Sequence, residues 1–483
     1  MFLLLAVSAW ATHNRAGEIV YRHKGGPAPT YEISIITYTE RASLADRDSL
    51  GLVIEFVGGS VVFEDTIARD SIFEIYPDQG IRQNYYILET FTFPGPGTYF
   101  IYMTDPNRIE NICNINNSVN EPFHIEDTLV IRDPQFFAYN NSPVLLESPI
   151  VFAEQYVPFS YNPGAYDPDG DSLVYELVPP KRDPITQVSG YRYPNDLPGQ
   201  SGNFPTNLSL DPLTGDLLWD VPQICCTYNI AYLIREFRNG VQVGTQVRDM
   251  QIIVLCSQTK PPTISIPQDT CVIAGERLTE DVQGQDPDPG DRLELSASGG
   301  PFFVDDSPAQ FLSTPSLSPV NGFFDWRTNC THIAPRPYRV VFKVQDDYQT
   351  PGGIDQPLSD IGSWEIRVLA PPPENLTATA LPDAVELNWE EPYACADIDT
   401  FLGFSIWRKR GCDSVTVEKC FDRSLTTLGF TQIAGPVQGY SYTDNTISKG
   451  VVYAYRVVPE FAKKIPGSSI FTFNDFSGKP SEE

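Results

Sequence analysis

Apolar and polar residues alternate along most of this chain. The run Tyr31-Glu32-Ile33-Ser34-Ile35-Ile36-Thr37-Tyr38 is the clearest, and Glu18-Ile19-Val20-Tyr21-Arg22, Leu52-Val53-Ile54-Glu55-Phe56, Tyr85 to Phe91, Tyr99 to Met103 and Leu129-Val130-Ile131 accompany it. Successive side chains of a strand point to opposite faces, so a period of two predicts half-buried β-strands. No long segment carries an apolar stripe at helical spacing, and 43 Pro and 34 Gly punctuate the runs. The pattern predicts an all-β chain made of a tandem array of β-sandwiches.

An acidic turn occurs twice. Tyr166-Asp167-Pro168-Asp169-Gly170-Asp171 recurs roughly 120 residues later as Gln285-Asp286-Pro287-Asp288-Pro289-Gly290-Asp291, a spacing that marks a duplicated module. The segments after each copy also correspond: Gly215-Asp216-Leu217-Leu218-Trp219 against Gly322-Phe323-Phe324-Asp325-Trp326, Tyr228 to Leu233 against Tyr338 to Val344, Gln251 to Leu255 against Trp364 to Leu369. Boundaries at proline clusters such as Lys260-Pro261-Pro262 and Pro371-Pro372-Pro373 give four modules, 12–133, 134–257, 258–370 and 371–483. Short proline-rich junctions have little freedom to hinge, so the modules are expected to stand in series as a stiff rod.

Charge narrows the partners. Sixty-two acidic against 33 basic residues give a formal net charge of −29, which repels phosphate backbones and anionic lipid, so nucleic acid is excluded as a partner. Residues 1–11, Met1 to Ala11, are an apolar run ending Ala9-Trp10-Ala11, which reads as a signal peptide although no Lys or Arg precedes it. No later stretch reaches the ~20 apolar residues of a membrane span, so no direct membrane span is expected. Nine cysteines in a secreted chain should mostly pair and leave one over. Cys271 with Cys330 and Cys412 with Cys420 are the expected pairs, and Cys256 could reach Cys225 or Cys226. Cys113 and Cys395 have no evident partner.

The fourth module resembles a fibronectin type III domain. The likeness is carried by Val385-Glu386-Leu387-Asn388-Trp389, Phe401 to Arg408 and Tyr453-Ala454-Tyr455-Arg456-Val457, and it implies that Tyr453 forms a tyrosine corner and Tyr455 packs the core. The second and third modules, on the acidic turns and the strands quoted with them, resemble cadherin-like domains of the dystroglycan type. The fold implied is a tandem array of Ig-like/cadherin-like β-sandwich domains. The whole ordering, opened by Thr12-His13-Asn14-Arg15-Ala16-Gly17-Glu18, is similar to the N-terminal region of gliding-motility-associated surface proteins of Bacteroidota linked to type IX secretion. The sorting domain that ends those proteins does not come after Ser481-Glu482-Glu483, so a fragment, or a relative exported another way, is implied.

The acidic turns carry the candidate chemistry. Asp167, Asp169 and Asp171 present carboxylates at alternate positions with Gly170 permitting a tight bend, and Asp286, Asp288 and Asp291 do the same with one extra proline; such oxygen-rich cages suit calcium. The cadherin-like resemblance adds an acidic residue near the domain start and an Asp late in the fold. It implies Glu154 for the second module and Glu276 with Asp346 for the third, while Arg235-Glu236 stands where the second module should have its late Asp. The competing reading is plain turn chemistry, Asp capping its own backbone.

Trp219, Trp326, Trp364, Trp389 and Trp407 fall inside expected strands and read as core rather than as a sugar-stacking row. Four histidines, scattered over the chain, suggest no metal site. No nucleophile elbow, zinc-protease helix or phosphate loop occurs, so no enzyme is expected. The reading that results is a secreted cell-surface structural or adhesive protein, a calcium-stiffened arm. Its partners would be other extracellular or cell-surface proteins or glycans, self-association included. The alternative is a carbohydrate-binding or enzyme-accessory protein.

Overall fold

The structure, a computed structural model, describes residues 14–41, 47–197, 206–413, 420, 424–464, 471–477 and 479–481. The expected signal peptide and His13 lie outside the described residues. The described chain is all-β; its helical content is five single 3-10 turns, at Pro77–Gln79, Ser118–Asn120, Pro194–Asp196, Gly300–Phe303 and Cys330–His332.

The alternating runs of the first module become strands Asn14–His23, Thr30–Glu40, Ser49–Phe56, Ile81–Thr92, Gly97–Asp105 and Phe123–Ile131. A further strand, Ser60–Tyr76, is long and mostly exposed, and its pairing splits between Ser49–Phe56 and Ile81–Thr92. Their inward faces bury Ile19, Tyr21, Tyr31, Ile33, Ile35, Leu52, Ile54, Tyr86, Ile101 and Ile125 in one core.

The sheet does not stop at the expected boundary after residue 133. Val241–Leu255, from the second module, pairs antiparallel with Phe123–Ile131 through Gly244↔Leu129, Thr245↔Thr128 and Gln246↔Asp127, and touches the first strand at Gly17↔Asp249. It thus lies between the two end strands of the first module and completes their ring. The second module's Thr227–Arg238 and Ser172–Val178 continue the same 11-stranded sheet. Two buried ion pairs bind the join: Arg248 to Glu18 at 2.5 Å and Arg108 to Asp249 at 2.7 Å.

The third module is a sandwich of a four-stranded and a five-stranded sheet around Trp326, Phe324, Phe342 and Trp364. The fourth packs sheets of three and four strands around Trp389, Phe404 and Tyr455. Tyr453 Oη accepts from the Ser448 amide at 3.0 Å, the backbone contact of a tyrosine corner, and Tyr455 is buried with Oη donating to Asp444 at 2.9 Å.

The modules do not stand in series as expected. The third lies along the second, where Ser160 Oγ donates to Asp360 at 2.8 Å, Ser363 Oγ donates to Asp216 at 2.7 Å and Arg339 donates to the Leu213 carbonyl at 3.0 Å. It also meets the first: Gln79 Nε2 donates to the Asp355 carbonyl, and Phe152, Leu255 and Leu358 form a small core flanked by Tyr76 and Tyr348. Polar residues in the strand faces, not only in linkers, make these contacts, which is why proline spacing alone suggested a rod.

Disulfides bind the modules further. Cys225 pairs with Cys256, one of the expected choices, but Cys113 pairs with Cys226, Cys271 with Cys420 and Cys330 with Cys395, while Cys412 is free and exposed. Cys271–Cys330 and Cys412–Cys420 are therefore corrected. Three of the four bridges join different modules, which pairing within each module could not foresee.

Candidate functional site

The two acidic turns start from the same sequence and end in different environments. In the second module Asp167 Oδ1 accepts from the amides of Asp169 and Asp171, both at 2.9 Å, and Gly170 takes φ +68°, so the turn closes on its own first carboxylate. The carboxylates of Asp167, Asp169 and Asp171 converge, each almost wholly buried. Into them projects Arg238. Its Nε and Nη2 meet Asp171 at 3.0 and 2.6 Å, Nη2 meets Asp169 at 2.9 Å and the Asn140 side chain at 2.9 Å, and Nη1 donates to the Ala138 carbonyl at 2.6 Å.

The guanidinium is 1 % exposed in its side chain. Burial opposes its charge, but Asp171 and Asp169 outweigh that and raise its pKa. Burial pushes Asp167 up to about 8, with Asp171 and Asp169 adding to the shift. Its Oδ2 is buried without a hydrogen-bond partner.

Strand parity explains the arginine. Glu236 and Arg238 lie two apart on Thr227–Arg238 and share a face, whereas Arg235 points the other way to an exposed pair with Glu176. Glu236 is fully buried, accepts from Asn140 at 2.6 Å and Tyr21 at 3.2 Å, and is held well above the usual carboxylate range by burial and by Asp167. Neither residue was in the expected set, although the parity that places them is readable in the sequence. These three carboxylates are grouped closely enough to hold a metal ion, but a protein cation is already bonded to two of them.

Glu154 belongs elsewhere. It ends Ile150–Glu154, opposite Leu255, while the turn lies beside the other end of Val241–Leu255, roughly 45 Å of strand away. It accepts from Ser257 Oγ at 2.6 Å and the Gln258 amide at 2.9 Å, pinning the link to the third module.

In the third module Asp286, Asp291 and Asp346 converge. Asp286 closes the turn by accepting from the Asp288 amide at 2.7 Å, and Asp346 accepts from the amides of Leu358 at 2.8 Å and Tyr348 at 3.1 Å. One oxygen of each, Asp286 Oδ2 and Asp346 Oδ2, is buried with no hydrogen-bond partner. Asp346 is 4 % exposed. Burial raises it to about 7, with Asp286 and Asp291 contributing, and burial raises Asp286 to about 6, with Asp291, Asp288 and Asp347 contributing. The charged neighbours that act most on Asp286, Asp291 and Asp346 are other carboxylates, in contrast to the second module, where Arg238 opposes them.

Two expected members are not in this group. Asp288 Oδ2 faces the linker, accepting from Thr259 Oγ1 at 2.9 Å and the Lys260 amide at 2.7 Å. Glu276 Oε2 accepts from the Ile273 amide, at the far end of Arg277–Gln285 and about 30 Å of strand from Asp286. The charge-bearing oxygens that fit a hard divalent cation are those of Asp286, Asp291 and Asp346.

The tryptophans expected in the core are there: Trp219, Trp326 and Trp364 are fully buried and Trp389 nearly so, while Trp407 is half-buried and donates to Ser405.

No family model matches the chain, and no curated protein does. Among solved structures it is similar to the tandem Ig repeats of Dlar, at 13% identity over 47% of this chain and 98% of that one, with a TM-score of 0.20. It is also similar to the human desmocollin-1 ectodomain, at 12% identity over 96% and 92% of the two chains with a TM-score of 0.16. The N-terminal eight Ig domains of Down syndrome cell adhesion molecule match at 9% identity over 97% and 70%, with a TM-score of 0.21. Similarity of this order carries nothing about binding or activity. The fold class is all-β, strands in several sheets packed around buried cores.

Proposed function

We propose that the chain is a secreted structural or adhesive protein that binds one calcium ion at Asp286, Asp291 and Asp346 of its third module and presents its surface to other extracellular proteins or glycans. The carrying observation is that convergence of three carboxylates with two buried oxygens left without donors. Calcium would supply the positive charge that those oxygens lack and tie the turn to the strand end at Asp346. Four disulfides favour an oxidising compartment. Burial of Trp219, Trp326 and Trp364 speaks against the carbohydrate-stacking alternative. The role proposed is binding, without catalysis.

Calorimetric titration with CaCl2 tests it, together with melting in millimolar CaCl2 and in EDTA. One saturable site and a higher melting temperature with calcium are expected, because a ligand held only by the folded state stabilises it by mass action. Asp346→Asn should abolish both, and Asp167→Asn neither. Identical melts in the two buffers would end the calcium reading.

A further inference from the structure

The second module's turn contacts more than its own strand. Lys463, on Tyr453–Lys464 of the fourth module, donates from Nζ to the Gly170 carbonyl at 3.0 Å and lies 3.5 Å from Asp171 Oδ1, with its side chain 10 % exposed. Arg336 of the third module is electrostatically coupled to Asp171 and Asp167, and its Nη1 is buried with no hydrogen-bond partner. Arg22 of the first module, coupled in the same way to Asp169 and Asp167, completes the circle. Of the cations around the turn, Arg238 of the second module and Lys463 of the fourth contact it directly.

We propose that the turn from Asp167 to Asp171 is an inter-module latch, which takes the guanidinium of Arg238 and the ammonium of Lys463 in place of a metal ion and fixes the fourth module onto the second. Three buried carboxylates beside Glu236 cannot all ionise without cations at hand. Two copies of one repeat meet that need differently. The third module offers its oxygens to an ion from solution; the second draws its cations from the chain. Burial lowers the pKa of Lys463, Arg336 and Arg238 add to that shift, and Asp171 and Asp167 oppose it; what holds the ammonium at the turn is its contact with the Gly170 carbonyl and with Asp171. Because Arg238 and Lys463 are bonded to the turn without any ion, the latch stands whether or not the third module binds calcium.

Amide hydrogen exchange on the full chain tests it, since local opening is read residue by residue. In Lys463→Gln the amides of Asp169, Gly170 and Asp171, and those of the strand from Tyr453, should exchange about tenfold faster than in the wild type, as expected when a buried charge loses its partner. Lys463→Arg should stay close to the wild type. Lys463→Met, which keeps the packed stem and drops the charge, should behave as Gln does. Protection at Val282, in the third module, serves as an internal measure that the chain is folded. In the Asp346→Asn background, which lacks the third-module site, millimolar CaCl2 should leave exchange at the turn unchanged. Wild-type exchange rates in both neutral variants would overturn the latch, and so would a change in turn protection on adding calcium in that background, which would mark a metal site or displacement of the ammonium. Neither result depends on calcium at Asp346, so failure of the latch and failure of the calcium reading are separable.

Discussion

Asp127 is fully buried in the join between the first two modules, with Oδ1 accepting from the Val247 amide at 3.1 Å and Oδ2 without a partner. Burial raises its pKa well above the usual carboxylate value, helped by Glu18 and Glu126 and opposed by the Val247 amide. The fold therefore prefers the neutral acid. Its contribution to stability is complete below about pH 4, the unfolded value, and falls as pH rises toward the folded one. Opposite it in register, Gln246 leaves Oε1 without a donor. Asp127→Asn supplies a neutral side chain with a donor at that place. It should raise stability at pH 7 by on the order of 1–3 kcal/mol, the cost of an unsatisfied buried polar atom, and the gain should vanish near pH 4. Denaturant melts of both proteins at the two pH values check this; equal stabilities at pH 7, or a gain that persists at pH 4, would show that Asp127 is not the responsible group. Residue-scale features of this kind were only partly legible. The acidic triplets stand in the sequence, and the parity of Glu236 and Arg238 does too, but that Arg238 reaches Asp169 and Asp171 depends on how Ser172–Val178 pairs with Thr227–Arg238, which no local pattern encodes.

At the scale of elements, alternation located most strands because it reports a one-sided burial that is real: Tyr31, Ile33 and Ile35 are fully buried, with Glu32 and Ser34 between them. Ser60–Tyr76 escaped that reasoning because it buries almost nothing and so carries no periodic signal. Val241–Leu255 was misjudged for the opposite reason. Only its second half read as a strand of the second module, whereas the first half serves the first module, with Gly244 in a place where a Cβ would come within 2.4 Å of Glu236 and 2.5 Å of Tyr21 Oη. A consequence is that residues 14–133 lack a strand of their own. Without the second module Glu18 loses Arg248, Arg108 loses Asp249, and the end strands Asn14–His23 and Phe123–Ile131 lose the strand that pairs with both. A fragment of 14–133 is expected to show no cooperative thermal transition by circular dichroism, and 14–257 to show one. A cooperative melt of the short fragment as high as that of the longer would mean the two modules are independent.

For the whole molecule, the expectation of a rod failed because it took each module to be self-contained. Side chains that look like ordinary strand polar residues, such as Ser160, Ser363 and Arg339, are spent on neighbouring modules, and cysteines are shared in the same way. Cys330–Cys395 and Cys271–Cys420 bind the fourth module to the third, and Cys113–Cys226 binds the second to the first, so relative motion is restrained covalently as well as by the continuous sheet. Non-reducing peptide mapping of the chain purified without reductant should recover these three linkages with Cys225–Cys256, and Cys412 as the thiol. Small-angle scattering should then give a radius of gyration near the compact value for this length, about 23 Å. Sandwiches strung end to end would exceed that value clearly. Such a radius would show that the contacts between the second and third modules do not persist in solution. A compact radius that rises only after reduction would assign the shape to the disulfides, and one that survives reduction would assign it to the shared sheet and the packed faces.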